Sequence, residues 1–170
     1  VDVLLSDAGV PRSRLLGVGV GLAGVIDSQA GICRISPHNG WREVPFSRLL
    51  EDELNCIVHL DNNVNTLTLV EQLYGVGQQV PNFLVVTVGH GIGLGIVANG
   101  QVVRGSSGGA GEFGHIVVDP DGFVCNCGNR GCLETFVADA WLVRRAQMQG
   151  IDVGSAEALT ALAEQGNELA

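Results

Sequence analysis

The sequence is poor in charge, in aromatic residues and in long apolar runs. Only 16% of its 170 residues are charged and 5% are aromatic, and nine scattered basic side chains leave a net charge of −9. Binding to nucleic-acid phosphates requires clustered basic residues, so this stretch offers no DNA-binding face. No apolar run approaches the roughly 20 residues that cross a bilayer, so no membrane-spanning helix is expected.

Glycine and apolar residues, in contrast, are abundant. The chain has 25 glycines and is 46% hydrophobic, which is typical of a compact protein with many tight turns and not of a disordered one. Its length suits one domain or two small lobes. The sequence starts at Val1 and shows no signal peptide. Five cysteines, three of them within eight residues, favour a metal site in a reducing cytoplasm over a disulfide framework.

Hydrophobic periodicity and glycine-rich turns predict an α/β fold with mixed sheets. Strands are expected in the first half of 15–26, at 57–60, at 82–88, in a hairpin of 94–97 with 101–104, and at 116–118. Helices are expected at 47–54, at 65–74, from Glu134 onward and in the alanine-rich last twenty residues. The helix at 65–74 is expected to turn Leu67, Val70 and Leu73 inward.

Residues with metal-ligand chemistry are concentrated at 115–132, which read HIVVDPDGFVCNCGNRGC. The glycines of the Cys-x-Cys-Gly-x-x-Gly-Cys pattern allow the sharp reversals that bring three thiolates together. Zn²⁺ prefers a tetrahedron of sulfur and nitrogen donors, which a nearby histidine can complete. The predicted ligands are His115, Cys125, Cys127 and Cys132. Four protein ligands leave no open position, so the predicted ion is structural; the alternative is a set of ordinary buried side chains.

Six segments, in the same order, resemble the ROK family of repressors, open reading frames and kinases. They are GVGVGLAGVID at 17–27, SPHNGW at 36–41, LDNNVN at 60–65, VGHGIGLGIV at 88–97, GEFGH at 111–115 and CNCGNRGCLE at 125–134. The resemblance spans nearly the whole chain, and the last two segments resemble the family signature.

The resemblance implies the actin-like ATPase or sugar kinase fold (ribonuclease H-like), in which two α/β lobes close on a hexose. Residues 1–62 are expected to be part of the first lobe. Residues 63–170 are expected to be the first part of the second lobe, including the zinc-binding segment 115–132. The family's N-terminal phosphate loop is expected before Val1 and its adenosine-contacting region after Ala170, so the fold held by this chain is partial.

The resemblance also bears on whether the protein phosphorylates a sugar. ROK kinases use the aspartate of a Glu-Asn-Asp-Ala-Asn motif to accept the proton of the attacking hydroxyl. Here the motif reads DNNVN, which places Asn63 at that position. An amide can hydrogen-bond a hydroxyl but does not take up its proton at neutral pH. No catalytic residue is therefore assigned, and sensing is favoured over catalysis.

The glycine-rich turn GHGIG at 89–93 resembles the family's phosphate-contacting loop. Its glycines are Gly89, Gly91 and Gly93, and His90 stands where the kinases carry a small hydroxyl residue. Backbone amides in such a turn can hold an anion, but a tight turn between strands explains the glycines equally well. ATP is expected as a ligand only if the protein is a kinase.

By resemblance, five side chains are expected to contact the sugar hydroxyls: Asn62, Asn63, Glu112, His115 and Glu134. His115 can serve twice, with one ring nitrogen on zinc and the other donating to the sugar. Glu134 has the alternative of a carboxylate favoured at a helix start, and Asn62 that of a side chain holding a local turn. Asn39 is a weaker candidate for the same site.

These features predict the effector-sensing region of a ROK transcriptional regulator that binds a hexose or amino sugar. Its DNA contact is expected from a helix-turn-helix module upstream of Val1, and a homodimer or homotetramer in the cytoplasm is expected from the family. An ATP-dependent hexose or N-acetylhexosamine kinase is the alternative. A zinc-stabilised interaction domain without a small ligand is a third hypothesis.

Four side chains outside these motifs carry simpler expectations. Cys33 and Cys56 lie in strand-like apolar surroundings and are expected in the core, as is Trp41. Arg104 follows a predicted strand and is expected to face solvent.

Overall fold

The computed structural model of the chain describes residues 1–166, which fold into two compact units. Unit 1 comprises Val1–Gln79 and Val102–Ala110; unit 2 comprises Val80–Gln101 and the chain from Gly111 onward. Parallel and antiparallel strand pairs occur together with helices, which confirms the α/β class with mixed sheets. No helix in the described residues is both long and apolar enough to span a bilayer. The predicted lobe boundary at residues 62 and 63 stays a prediction.

Unit 1 contains a parallel strand pair, an antiparallel sheet and helices around them. Its helices are α1 (Asp2–Asp7), α2 (Phe46–Leu54) and α3 (Asn63–Tyr74), and its strands are β1 (Gly17–Leu22), β2 (Val25–Asp27), β3 (Ile32–Ser36), β4 (Trp41–Val44) and β5 (Ile57–Asn62). β1 and β5 run parallel, from Gly17 opposite Ile57 to Leu22 opposite Asn62. β2, β3 and β4 form the antiparallel sheet.

The apolar core of unit 1 lies between these two sheets and α2. Ile26, Cys33 and Leu60 are buried, and the side chains packed against them are Val20, Leu22, Trp41, Val44 and Phe46. Cys33 and Trp41 thus lie in the core as predicted. The same prediction was wrong for Cys56, which is only half-buried because it lies in the turn between α2 and β5.

Unit 2 is an antiparallel sheet followed by turns and three helices. Its elements are β6 (Phe83–Val88), β7 (Ile92–Ala98), α4 (Glu134–Val137), α5 (Asp139–Met148) and α6 (Ala156–Glu164). The sheet order is β6-β7-β8, and the short strand β8 (Gln101–Val102) contains the boundary between Gln101 of unit 2 and Val102 of unit 1. α5 and α6 enclose a buried cluster of Ala146, Ile151, Val153 and Leu159. α6 falls within the predicted C-terminal helix, whose last four residues, 167–170, lie outside the described part of the chain.

Helix α3 begins two residues earlier than predicted, because Asn62 caps it. The Oδ1 atom of Asn62 accepts hydrogen bonds from the amides of Val64 and Asn65 at 2.7 and 3.2 Å. Such a cap satisfies backbone donors that have no partner inside the helix.

The buried face of α3 also differs from the prediction. Leu67, Val70 and Leu73, expected to point inward, are 39–57% exposed, while Asn65 and Thr68 are buried. At its start the helix lies close to β1, because a Cβ atom at Gly21 would lie 3.3 Å from the Cα of Asn63 and 3.2 Å from Oγ1 of Thr66.

The prediction of a strand at 116–118 was wrong, because these residues do not form a regular strand. Its side chains are about half exposed, and within the described residues one isolated bridge, from Val117 to Cys132, replaces a ladder. The turn at 119–122, closed by the Gly122 amide donating to the Asp119 carbonyl at 3.0 Å, reverses the chain at once. Three β-branched or apolar residues favour a strand, but this early reversal leaves room for a single bridge.

Arg104, expected in solvent, instead makes an ion pair inside unit 1. Its Nε and Nη2 atoms lie 2.9 and 2.8 Å from Oδ2 of Asp61. The other carboxylate oxygen of Asp61 accepts from the amide of Asn62 at 2.8 Å and from Nδ2 of Asn65 at 3.3 Å. The Asp61 side chain is only 14% exposed, so it depends on these donors to offset its desolvation.

We predict that Arg104→Met, which keeps the apolar stem, lowers the free energy of unfolding by about 1–2 kcal/mol, since a mostly buried carboxylate loses its charged partner. Urea unfolding measures this change. The matched control is Arg48→Met, because Arg48 meets Asp52 at 4.0 Å with both side chains more than 70% exposed; it should cost less than about 0.5 kcal/mol. Equal losses for the two variants would contradict the structural role of Arg104.

Candidate functional site

The four predicted metal ligands converge in unit 2. One ligand atom from each of His115, Cys125, Cys127 and Cys132 lies within 4.8 Å of the others. The Cys125 Sγ and His115 Nδ1 atoms are 3.6 Å apart, as are the Sγ atoms of Cys127 and Cys132. A tetrahedral zinc site with ordinary bond lengths separates neighbouring ligand atoms by roughly 3.6–3.8 Å. The arrangement therefore fits a metal ion of this kind.

Two glycines with positive φ let the backbone fold into this arrangement. A Cβ at Gly111 (φ +86) would lie 1.9 Å from the carbonyl oxygen of Leu94, so only glycine lets the following residues press onto β7. A Cβ at Gly131 (φ +70) would lie 1.4 Å from the Asp119 carbonyl oxygen, where the cysteine turn meets the 119–122 turn. The contact between Gly111 and Leu94 positions Glu112 and His115, and the contact between Gly131 and Asp119 positions Cys132.

The protein environment alone does not favour ionised sulfur at this cluster. Burial raises the pKa of the Cys132 thiol to about 12, with the neighbouring cysteines adding to the effect, and burial is also the main cause of the raised pKa of Cys125. Thiolate is the form that binds a metal. A bound cation would supply the positive charge that ionises these thiols, and four protein ligands would make it a structural ion. Zinc itself remains a proposal.

Two carboxylates flank the cluster. Oε2 of Glu112 lies 3.7 Å from Nε2 of His115, on the ring nitrogen that faces away from the sulfur of Cys125. Oε1 of Glu134 lies 4.0 Å from that sulfur, and its Oε2 accepts a hydrogen bond from the Ile92 amide at 3.3 Å. Burial raises the pKa of Glu112 and the charge of Glu134 adds to this, while His115 opposes it.

Glu134 meets the helix-start interpretation, while its contact with a sugar stays a prediction. It is the first residue of α4, as the helix-start interpretation requires, and its carboxylate also lies beside the metal-ligand cluster. Glu112, His115 and Glu134 thus come together within unit 2, and they present two hydrogen-bond acceptors and one imidazole.

The glycine-rich turn at 89–93 joins β6 to β7. The amide of Gly89 donates to the carbonyl of Gly91 at 3.2 Å, and Gly93 lies inside β7. The hydrogen bond from the Ile92 amide to Glu134 places a carboxylate against the turn. This contact could not be predicted from the sequence, because Ile92 and Glu134 are 42 residues apart. The predicted contact of these glycines with phosphate stays a prediction.

The other predicted sugar contacts lie in unit 1. Asn62 uses its side-chain oxygen to cap α3 and donates Nδ2 to the carbonyl of Gly24 at 2.9 Å, which leaves one amide hydrogen. Asn63, the first residue of α3, is exposed. Asn39 is exposed as well and donates Nδ2 to Oγ of the buried Ser36 at 2.9 Å.

A family model described as "ROK family" matches residues 3–170. The chain is 41% identical over 152 residues to a glucokinase of Halalkalibacterium halodurans, which covers 89% of this chain and 46% of that protein. It is 33% identical over 141 residues to a xylose repressor of Caldicellulosiruptor bescii, and this match covers 81% of this chain and 35% of that protein. The chain thus spans less than half the length of these relatives, of which one is a kinase and the other a repressor.

Two solved structures match almost the whole chain. A ROK family transcriptional regulator, described as a homolog of the E. coli MLC protein, gives a TM-score of 0.83 at 28% identity, over 99% of this chain and 45% of that one. A ROK family glucokinase from Streptomyces griseus, in complex with glucose and AMPPNP, gives a TM-score of 0.80 at 28% identity. The match covers 99% of this chain and 60% of that one. These matches confirm the predicted sugar kinase, actin-like fold.

The metal site makes a direct prediction about composition. We expect the purified protein to contain one zinc per chain by elemental analysis, and Cys132→Ser to lose the metal together with several kcal/mol of stability. Cys33→Ser is the matched control, because Cys33 is equally buried but lies in the core of unit 1; this variant should keep the metal. Protein that is prepared without chelators, under reducing conditions, and still lacks a transition metal would contradict the site.

Proposed function

The chain belongs to the ROK family, and on that premise we propose that it is the sugar-binding, effector-sensing region of a transcriptional regulator. The observation that carries the proposal is Asn63, at the position of the proton-accepting aspartate of the kinases. Its side chain is exposed at the first turn of α3, and no hydrogen bond within residues 1–166 engages it. It can bind a hydroxyl but does not remove a proton from it.

The sugar is proposed to bind through Glu112, His115 and Glu134, with Asn62 and Asn63 as further contacts. Two carboxylates and an imidazole provide the acceptors and the donor that adjacent hydroxyl groups require. We assign Nδ1 of His115 to a structural zinc ion, because it faces Cys125, and Nε2 to the sugar. A zinc-bound imidazole keeps its other nitrogen protonated, so the metal would fix both the ring and its donor.

The proposal assigns DNA binding to another part of the protein. This chain carries a net charge of −9, and its aligned residues cover only 46% of the glucokinase and 35% of the xylose repressor. Assembly as a homodimer or homotetramer in the cytoplasm, where cysteines stay reduced, belongs to the same proposal. Sugar would act as an effector only by binding one conformation of the protein more tightly than another.

A ROK hexose kinase is the second candidate. It is supported by the 41% identity to a glucokinase. The hydrogen bond of Glu134 to the glycine-rich turn is compatible with either function, because the same carboxylate can contact a sugar in a sensor or in an enzyme.

The sugar site is tested with glucose, xylose, N-acetylglucosamine and N-acetylmannosamine by calorimetry on the intact protein. We expect at least one to bind, and Glu112→Gln to weaken that binding about tenfold or more, since a charged hydrogen bond contributes roughly 1.5–3 kcal/mol. Glu164→Gln, an exposed change near the end of α6, is the control and should have no effect. Unchanged affinity in Glu112→Gln would remove Glu112 from the site.

The regulator is distinguished from the kinase by assaying the intact protein for ATP-dependent phosphorylation of the same four sugars. We expect no turnover, because Asn63 lacks a proton-accepting carboxylate. Asn63→Asp restores that group at almost the same size and tests whether the remaining kinase machinery is present. Turnover by the natural protein that Asn63→Ala abolishes would overturn the regulator proposal in favour of the kinase.

A further inference from the structure

The three sulfurs of the metal-ligand cluster differ in their access to solvent. Cys125 and Cys132 are 2% and 0% exposed, whereas Cys127 is exposed. Cys127 lies within a turn in which the Gly128 amide donates to the Cys125 carbonyl at 2.9 Å and the Cys125 amide to the Asn129 carbonyl at 2.7 Å. Of the three cysteines, Cys127 is therefore the residue that a dissolved oxidant meets first.

The exposed sulfur also has a partner in place. The Sγ atoms of Cys127 and Cys132 are 3.6 Å apart, while the Cys125 sulfur has the His115 imidazole at the same distance. A disulfide has its sulfurs about 2.05 Å apart, so closing this pair requires an approach of only about 1.5 Å. The geometry selects Cys132 as the thiol that would react with an oxidised Cys127.

We propose that Cys127 and Cys132 form a peroxide-sensitive pair whose oxidation releases the metal ion. This inference rests on the proposed zinc site. In the first step the Cys127 thiolate attacks hydrogen peroxide, which forms an S–O bond, breaks the O–O bond and yields a sulfenic acid and hydroxide. In the second step the Cys132 thiolate attacks that sulfur, which forms the disulfide and expels a second hydroxide. Two thiolates are oxidised by two electrons, one peroxide is reduced, and the ion loses two of its four ligands.

Loss of the ion reaches the proposed sugar site through His115. The imidazole is oriented by the sulfur cluster on Nδ1 and by Glu112 on Nε2. Without a metal on Nδ1 the ring is no longer fixed, and its proton is free to move to that nitrogen. The sugar would then lose a fixed hydrogen-bond donor, so oxidation should weaken sugar binding by about tenfold.

The test uses the intact, zinc-loaded protein, which is treated with hydrogen peroxide in the presence of a zinc-sensitive dye. We expect one zinc per chain to be released, with a mass decrease equal to two hydrogen atoms and a disulfide mapped by peptide analysis to Cys127 and Cys132. Dithiothreitol with added zinc should restore the metal content and the original mass. The Cys33→Ser, Cys56→Ser double variant removes the two thiols of unit 1 and should respond like the natural protein.

The outcomes separate the two levels of the proposal. Absence of zinc before peroxide is added contradicts the metal site itself. Zinc that is present but retained after peroxide treatment contradicts the peroxide-sensitive pair and leaves the metal site standing. The same holds for a disulfide that includes Cys125, or for an oxidised Cys127 that forms no disulfide with Cys132. Zinc release with unchanged affinity for the sugar that binds the reduced protein would remove the link through His115.

Discussion

One imidazole and three sulfurs converge in the segment from 111 to 135 of unit 2, which is otherwise held by backbone hydrogen bonds, by contacts of Gly111 with β7 and by the stacking of Phe123 on Trp141. That segment contains turns and two isolated bridges, and neither apolar cluster includes any of its residues. A metal ion with four ligands would replace the apolar packing that the segment lacks. The same four residues hold Glu112 and Glu134 beside the imidazole, so one interaction would set both the local fold and the chemistry of the candidate site.

Sensing and phosphorylation require nearly the same protein in this family. A carboxylate and an amide at position 63 have almost the same shape and can bind the same hydroxyl, but only the carboxylate takes its proton. The similarity to both a glucokinase and a xylose repressor is therefore expected physically. In the proposed regulator, the amide of Asn63 distinguishes this site from that of a kinase, and overall structural similarity does not report such a difference.

The sequence was most informative where residue type dictates geometry. The Cys-x-Cys-Gly-x-x-Gly-Cys pattern and His115 predicted a cluster that the structure brings together, since glycine and metal-ligand chemistry leave few alternatives. Predictions from hydrophobicity alone did less well. Leu67, Val70 and Leu73 on α3 were predicted to form a buried face, yet the helix buries Asn65 and Thr68 instead. Likewise the pairing of Arg104 with Asp61 joins positions 43 residues apart, a distance over which a single sequence carries no signal.

The path of the chain through the two units has a practical consequence. The polypeptide leaves unit 1 after Gln79, re-enters it at Val102 and leaves again after Ala110. Neither unit is therefore one uninterrupted stretch, and a shortened protein ending at Gln79 would lack the guanidinium that neutralises Asp61, next to the residue that caps α3. Cutting the chain at one position therefore cannot separate the two units. A truncated protein that holds all of one unit would also carry part of the other.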